Sequence, residues 1–231
     1  RSFGTFEART LSLVRADGAM DLYHGGLRAQ GADGGMIFDH VDYGHYWEQI
    51  SEEVKAWSYM KFPYLRALGH ENGWYRVGPL TRVTRCDFIP TPLADRERRE
   101  FMAFDDGRAA LSTLGFHWAR MIEMLHAAEA IKDLLHDGDL LGTDLVTGGQ
   151  RQARGVGVIE APRGTLIHHY RVSGSGAMTW AHRWLPLTCR SSICHWHRRW
   201  TCWARHSVCP PQMPGLCSPG NTGTYGRTPS G

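Results

Sequence analysis

Short runs of β-favouring residues open the chain. They occupy residues 5–14, 19–28 and 36–42, and turn signals that contain glycine and aspartate lie between them. Runs of this length bounded by such turns are typical of β-strands. We therefore expect these three runs to be edge strands of a small sheet near the start of the chain.

Two segments show the three- and four-residue spacing of an amphipathic helix. The first is 43–60, and its apolar face consists of Tyr46, Trp47, Ile50, Val54 and Trp57. The second is 114–138, where Ser112 or Thr113 can cap the start and Gly138 can end the helix. Its apolar stripe consists of Trp118, Met121, Ile122, Leu125, Ala128, Ile131 and Leu135. The second segment is long enough to be a core helix.

Two further β-rich runs, 155–161 and 165–172, follow the second helix. They are joined across a turn of Pro162, Arg163 and Gly164. Proline fixes the backbone angle φ and glycine tolerates positive φ, so a tight reversal has a physical basis here. The sequence predicts two strands that reverse direction at this turn.

The same turn carries candidate chemistry. The backbone N–H groups of Arg163 and Gly164, together with the Arg163 guanidinium, suit a small anion or a polarised ligand. Because arginine stays protonated, it acts more readily as an electrostatic stabiliser than as a base. The alternative is a structural hairpin in which Arg163 pairs with Glu160 or another surface acid. From these few residues alone the structural alternative is favoured, since short motifs often match by chance.

Other titratable residues are assigned structural roles. Glu160 could pass protons if buried, but a carboxylate bonded to backbone N–H groups is the favoured interpretation. His168 and His169 point in opposite directions on a strand, so only one can face a buried site, where we expect it to hydrogen-bond within the core. Arg120 and Glu123 are spaced for a helix-surface or interhelical ion pair.

Composition divides the chain near Val172. Residues 173–231 contain six arginines and no aspartate, glutamate or lysine, which gives +6, whereas residues 1–172 carry −3. Five of the six cysteines and five of the nine tryptophans also lie in residues 173–231. Translation of a GC-rich gene in a wrong reading frame produces such a composition. We therefore interpret 173–231 as an aberrant tail without secondary structure.

Cysteine content, hydropathy and the basic tail indicate the cellular compartment and the classes of partner. With Cys86 alone in residues 1–172, no disulfide framework is available there, which favours a reducing cytoplasm. No apolar run is long enough for a membrane helix, and no charged-then-apolar signal segment is present. The interleaved arginine and tryptophan of the tail imitate a nucleic-acid-binding segment. Because a shifted frame explains them, we expect no nucleic-acid partner.

A zinc site is a further alternative in the tail. Cysteine and histidine are both zinc ligands, and four of them lie close together: Cys194, His195, His197 and Cys202. Their spacing fits no common zinc finger, and a shifted frame scatters these residue types freely. We therefore assign no metal ligand to the tail.

Three stretches together resemble the large subunit of nickel–iron hydrogenases. They are EAPRGTLIHHYRV at 160–172, WYRVGPLTRV at 74–83 and HWARMIEMLHAAEAI at 117–131. The resemblance runs over 1–172 and is strongest to the cytoplasmic, NAD-reducing, bidirectional type. It implies an α+β fold of long packed helices beside small antiparallel sheets, of which residues 1–172 would be the central part.

The resemblance also implies an activity and its cofactors. Such enzymes oxidise H2 reversibly at a nickel–iron centre whose iron carries cyanide and carbon monoxide. Pro162, Arg163 and Gly164 would surround this centre without ligating it, and Arg163 would be a catalytic residue. Electrons would pass through iron–sulfur clusters in a small subunit to diaphorase partner subunits that bind FMN and NAD.

One departure from the family limits what the chain can do. The family holds its metals with two Cys-x-x-Cys pairs, and neither pair occurs in this sequence. The nearest spacing is Cys189-x4-Cys194. Because soft thiolates bind such a centre, we expect a fragment that holds no nickel or iron and is inactive alone. The alternative is a metal-free binding or scaffold module that keeps the fold.

Overall fold

The computed structural model of the chain describes residues 4–5, 7–104, 112–146 and 148–184. This part contains three small β-sheets and a group of packed helices. Two of the sheets are antiparallel throughout, and the third contains one parallel pair. The predicted α+β class is confirmed. Within the described residues, no helix is both long and apolar enough to cross a membrane.

Nine strands and four α-helices make up this part of the chain. The strands are β1 (Arg9–Val14), β2 (Gly26–Gln30), β3 (Met36–Val41), β4 (Ile50–Val54), β5 (Lys61–Leu65), β6 (Tyr75–Arg76), β7 (Arg154–Ala161), β8 (Gly164–Val172) and β9 (Met178–Trp184). The helices are α1 (Gly69–Asn72), α2 (Pro79–Arg85), α3 (Pro92–Ala103) and α4 (Gly115–Leu134). Short 3-10 turns occupy Tyr43–Glu48, Arg66–Leu68 and Gly138–Leu141.

The N-terminal strands form a sheet with the order β3-β2-β1-β6. The predicted edge position is wrong for β1 and β2, which are central strands: β1 pairs with β2 and β6, and β2 pairs with β1 and β3. Leu11 and Leu13 of β1 and Leu27 of β2 are buried. They pack with Ile50 and Ile167, so this core joins the first sheet to β4 and β8.

A second core lies among α2, α3 and α4. Its buried members are Met20, Leu80, Val83, Cys86, Ile89, Ala94, Phe101, Ala119 and Ile122. Helix α4 confirms the predicted long helix, although it ends at Leu134 and Gly138 instead opens a 3-10 turn. At its start, the hydroxyl of Ser112 accepts a hydrogen bond from the Leu114 N–H at 3.2 Å. The helix therefore begins close to where the sequence predicted.

The predicted helix over 43–60 is wrong. A 3-10 turn covers Tyr43–Glu48, and the chain then extends as β4, which pairs antiparallel with β5. Tyr46 and Ile50 are buried, but Trp57 is 73% exposed. The helical spacing of these apolar residues was therefore coincidental, because pairing with the next strand, β5, overrides the local pattern.

The two predicted strands around the turn are confirmed as the antiparallel pair β7–β8. The absence of secondary structure predicted beyond residue 172 is wrong for β9, which pairs antiparallel with β8. A hydrogen bond from the Ser173 N–H to the Ala177 carbonyl, at 2.8 Å, closes the connection between these strands. Strand β9 is formed by backbone pairing with β8, and amino-acid composition does not reveal such pairing. Residues 185–231 of the predicted tail lie outside the described residues.

Candidate functional site

The turn between β7 and β8 is a two-residue loop. Ala161 and Gly164 are paired across the strands, so Pro162 and Arg163 form the loop itself. Both loop residues are exposed, whereas Gly164 is buried at the base. The φ of Gly164 is 151°, in the region that favours glycine. The loop thus presents a proline and a guanidinium-bearing residue at the surface of the described part.

The segment before α2 lies directly against this loop. A Cβ atom placed on Gly78 would come within 3.1 Å of the Arg163 carbonyl oxygen and 3.5 Å of the Phe116 ring. Gly78 also has a φ of 98°, which side chains other than glycine rarely adopt. Glycine is therefore required at position 78 by both backbone conformation and contact with the loop.

One turn of helix further along, Arg82 joins three elements. Its Nη1 donates to Glu160 Oε2 at 2.9 Å and to the Ala161 carbonyl at 3.0 Å. Its Nη2 donates to Glu123 Oε2 at 2.9 Å, and its Nε donates to the other oxygen of that carboxylate. Arg82 is only 2% exposed. Helices α2 and α4 and strand β7 therefore meet at one buried guanidinium.

Glu160 completes this buried network. Its Oε1 accepts from the Leu13 N–H at 2.7 Å and from the Thr165 hydroxyl at 2.9 Å. Burial raises the pKa of Glu160 above its ordinary value, although Arg82, Leu13 and Thr165 all favour the carboxylate. Glu160 is thus the structural carboxylate that the sequence favoured. Because Glu160 is buried and bound by Arg82, the structural-hairpin alternative, in which Arg163 pairs with Glu160 or another surface acid, depends on an acid other than Glu160.

Arg82 stays charged in this setting. Burial opposes its charge, but hydrogen bonds and charges from Glu123 and Glu160 outweigh burial and raise its pKa. The predicted pair of Arg120 and Glu123 is wrong, because Glu123 binds Arg82 and the Arg120 guanidinium lies over the Phe116 ring. The role of Arg82 was not predicted from the sequence. Its one available signal was an arginine between the apolar residues of a short helix, which is unusual unless the charge is paired.

The two histidines of β8 face opposite ways, as predicted. His169 is buried, and its Nδ1 lies 3.4 Å from the Tyr46 hydroxyl, while His168 is partly exposed beside Tyr170. Burial, together with nearby positive charges, lowers the pKa of His169, so the ring is neutral at pH 7. His169 lines a cavity of about 310 Å3 between β4 and the β8–β9 pair. Pro162, Arg163 and Gly164 do not line it.

The described residues do not supply a ligand set for a metal centre. Among them, no group of three or more histidine, cysteine, aspartate or glutamate side chains is placed to hold an ion. Cys86 is buried, and burial raises the pKa of its thiol to about 11, so it does not offer a thiolate. A nickel–iron centre therefore does not fit on these residues alone. They can only surround a group that other residues hold.

Comparison with known proteins identifies the family. No family model matches the chain. The chain is 47% identical over 195 residues to the NAD-reducing hydrogenase HoxS subunit beta of Cupriavidus necator, which covers 83% of this chain and 40% of that relative. It is 42% identical over 183 residues to a subunit of the F420-non-reducing hydrogenase of Methanothermobacter thermautotrophicus, which covers 77% of this chain and 37% of that relative.

Solved structures of hydrogenases also match this chain. An NAD+-reducing NiFe hydrogenase in the H2-reduced state matches with a TM-score of 0.76 and 53% identity, over 79% of this chain and 40% of that chain. The Ni-Fe-Se hydrogenase of Desulfovibrio vulgaris Hildenborough matches with a TM-score of 0.52 at 20% identity, over 78% of this chain and 42% of that chain, which shows the fold alone. The fold and these identities define a hydrogenase subunit.

The chain belongs to the family of nickel–iron hydrogenase subunits, as the resemblance of 74–83, 117–131 and 160–172 predicted. It spans about 40% of the length of these relatives. An alignment covering 83% of the 231 residues includes more than the first 172, so the similarity continues past Val172. The alignment and strand β9 both show that the family-like sequence extends further along the chain than the predicted boundary at Val172. A shifted frame in 185–231 stays a prediction.

Proposed function

We propose that this chain is part of the catalytic subunit of an NAD-linked nickel–iron hydrogenase that oxidises H2 reversibly to protons and electrons. Its partners in the cytoplasm would be a small subunit with iron–sulfur clusters and diaphorase subunits that bind FMN and NAD. The proposal rests on the exposed Pro162–Arg163 loop, held on a buried ionic network in a chain 47% identical to an NAD-reducing relative. The chain alone would be inactive, since the sequence has no Cys-x-x-Cys pair.

In this proposal, Pro162, Arg163 and Gly164 form the wall of a metal centre whose ligands come from other residues. A nickel–iron centre would supply the site that cleaves H2. Arg163 contributes a permanent positive charge at the exposed tip of the loop, and Gly164 contributes the backbone angle that lets the loop close. A fixed cation in a site protected from water stabilises developing negative charge far more than a mobile one. Arg163 would therefore be a catalytic residue.

A chimaera tests this function. Residues 7–184 of this chain replace the matching segment of the Cupriavidus necator relative, which is assembled with its own partner subunits and measured for H2-dependent NAD+ reduction. We expect activity, and we expect Arg163→Lys to lower it by roughly 100-fold with metal content unchanged, as for loss of a fixed electrostatic group. Lysine keeps the charge but loses the rigid planar fork.

The matched control is Arg171→Lys on β8, where the guanidinium lies over the Trp180 ring instead of at the loop. This variant should keep the chimaera's activity. If Arg163→Lys also keeps it, the loop is only a structural hairpin. If Arg163→Lys loses metal, its role is in assembly and the catalytic role is wrong. A chimaera that assembles with its metals but oxidises no H2 would support the scaffold alternative.

A further inference from the structure

We propose that Arg82 is a positioning residue that sets where the Pro162–Arg163 loop lies against helix α2. The inference rests on the proposed function, in which that loop faces the reacting centre. Its basis is one contact: Arg82 Nη1 donates at 3.0 Å to the carbonyl of Ala161, the residue immediately before the loop. The guanidinium that makes this contact is itself fixed on its other side by the carboxylate of Glu123.

The same short segment approaches two backbone oxygens of the loop and hydrogen-bonds to one of them. Arg82 binds the Ala161 carbonyl at the entry to the loop, and Gly78 lies against the Arg163 carbonyl within the loop. Both contacts come from residues four apart at the start of α2. Because α4 supplies Glu123, the position of the loop is set by the packing of two helices and not by the hairpin alone.

Stability by itself is a poor explanation for this network. Burying one arginine with two carboxylates costs desolvation free energy that the ion pairs recover only in part, and apolar residues often serve as well. Glu160 also has two other donors, Leu13 and Thr165, on the oxygen that Arg82 does not bind. What only a planar fork can do here is reach two carboxylates and the Ala161 carbonyl at once.

Arg28 provides a matched control at the other end of helix α2. It is also buried, donates to both oxygens of Asp39 at 2.8 and 3.0 Å and to Asp87 at 3.0 Å, and binds the Arg85 carbonyl at 2.9 Å. Arg28 therefore repeats the pattern of two carboxylates and one carbonyl, but it does not contact the loop. Lysine at either position loses the fork and keeps the charge.

The experiment compares Arg82→Lys with Arg28→Lys in the 231-residue chain. Thermal unfolding should show a loss of stability in both variants. Amide exchange and 15N chemical shifts should separate them. Exchange at Ala161, Arg163, Gly164 and Thr165 should become at least about tenfold faster in Arg82→Lys and stay unchanged in Arg28→Lys, since only the first frees the loop. Equal loop behaviour in both variants overturns the inference and leaves Arg82 a structural residue.

A second variant, Glu123→Gln, tests the same inference if Arg82→Lys does not fold. Glu123→Gln keeps the shape of the partner that holds Arg82 but removes its charge, so the same loop amides should shift by a smaller amount in the same direction. Unchanged loop amides in folded Glu123→Gln overturn the inference. None of these measurements needs a metal. If the loop moves as expected while the chimaera assembles with its metals but oxidises no H2, the proposed function fails and the positioning role stands; if Arg163→Lys keeps full activity, only the catalytic role of Arg163 fails.

Discussion

Arg82 and Cys86 show how burial acts differently on two residues one helical turn apart. Arg82 keeps its charge because Glu123 and Glu160 bind it directly. The charge and hydrogen bond of Arg98 favour the Cys86 thiolate but do not outweigh burial, and the thiol donates to the Val83 carbonyl at 3.6 Å. Burial therefore raises the pKa of the Cys86 thiol to about 11 and keeps it protonated.

Cys86 should consequently be unreactive in the folded chain. In a variant whose other five cysteines are serine, Ellman's reagent at pH 8 should give no reaction within an hour, because about one thiol in a thousand is ionised and the residue is 3% exposed. Full reaction should follow in denaturant, which is the control. Rapid reaction without denaturant would show that Cys86 is an accessible thiolate and a potential soft ligand.

Single residues of the site were predictable where the physics is local. Alternation along a strand indicated that only one of His168 and His169 is buried, and the need to satisfy a buried carboxylate indicated the role of Glu160. Arg82 was not predictable in this way. Its partner Glu123 lies 41 residues away, whereas the sequence offered Arg120 at helical spacing. Local spacing cannot reveal a partner that tertiary packing supplies.

At the scale of elements, the loop depends on the segment that leads into α2. Gly78→Ala should lower the free energy of unfolding by about 2 to 3 kcal/mol, because it combines a strained φ of 98° with a 3.1 Å contact between the new Cβ and the Arg163 carbonyl. Chemical denaturation of the chain measures the loss. Loop amides should shift in the same variant.

Gly69→Ala is the matched control for this change. Gly69 also has positive φ, 70°, but no atom lies within 4 Å of a Cβ built there. Alanine at this position should cost about 1 to 2 kcal/mol from backbone strain alone, less than at position 78, and leave the loop amides unchanged. Equal losses in the two variants would mean that the contact between Gly78 and the Arg163 carbonyl contributes nothing.

Elements were predictable in proportion to the length and consistency of their pattern. The long helix α4 and the β7–β8 pair were found because many residues, and a turn of proline and glycine, agree in each case. The segment 43–60 failed because five apolar residues fit a helical face by chance, and β5 pairs with its second half. Strand β9 was missed because an unusual composition concealed a strand that backbone pairing with β8 supports.

At the scale of the whole molecule, helix α4 is apolar on more sides than the described fold covers. Ala119 and Ile122 are buried, but four large apolar residues on other sides are 58–63% exposed: Met121, Met124, Ile131 and Leu134. A helix that is apolar nearly all round is normally buried nearly all round. The chain spans only about 40% of its relatives' length. The exposed apolar surface of α4 therefore affects how the isolated chain associates.

The isolated chain should therefore self-associate through α4. Sedimentation velocity should show concentration-dependent oligomers, because contiguous exposed apolar side chains favour association. Met124→Glu combined with Ile131→Lys leaves net charge unchanged and should shift the chain toward monomer. Gln150→Glu with Gln152→Lys adds the same charges at exposed polar positions and should leave association as it was. If both pairs of substitutions dissolve the oligomers equally, general charge and not the apolar face of α4 controls association.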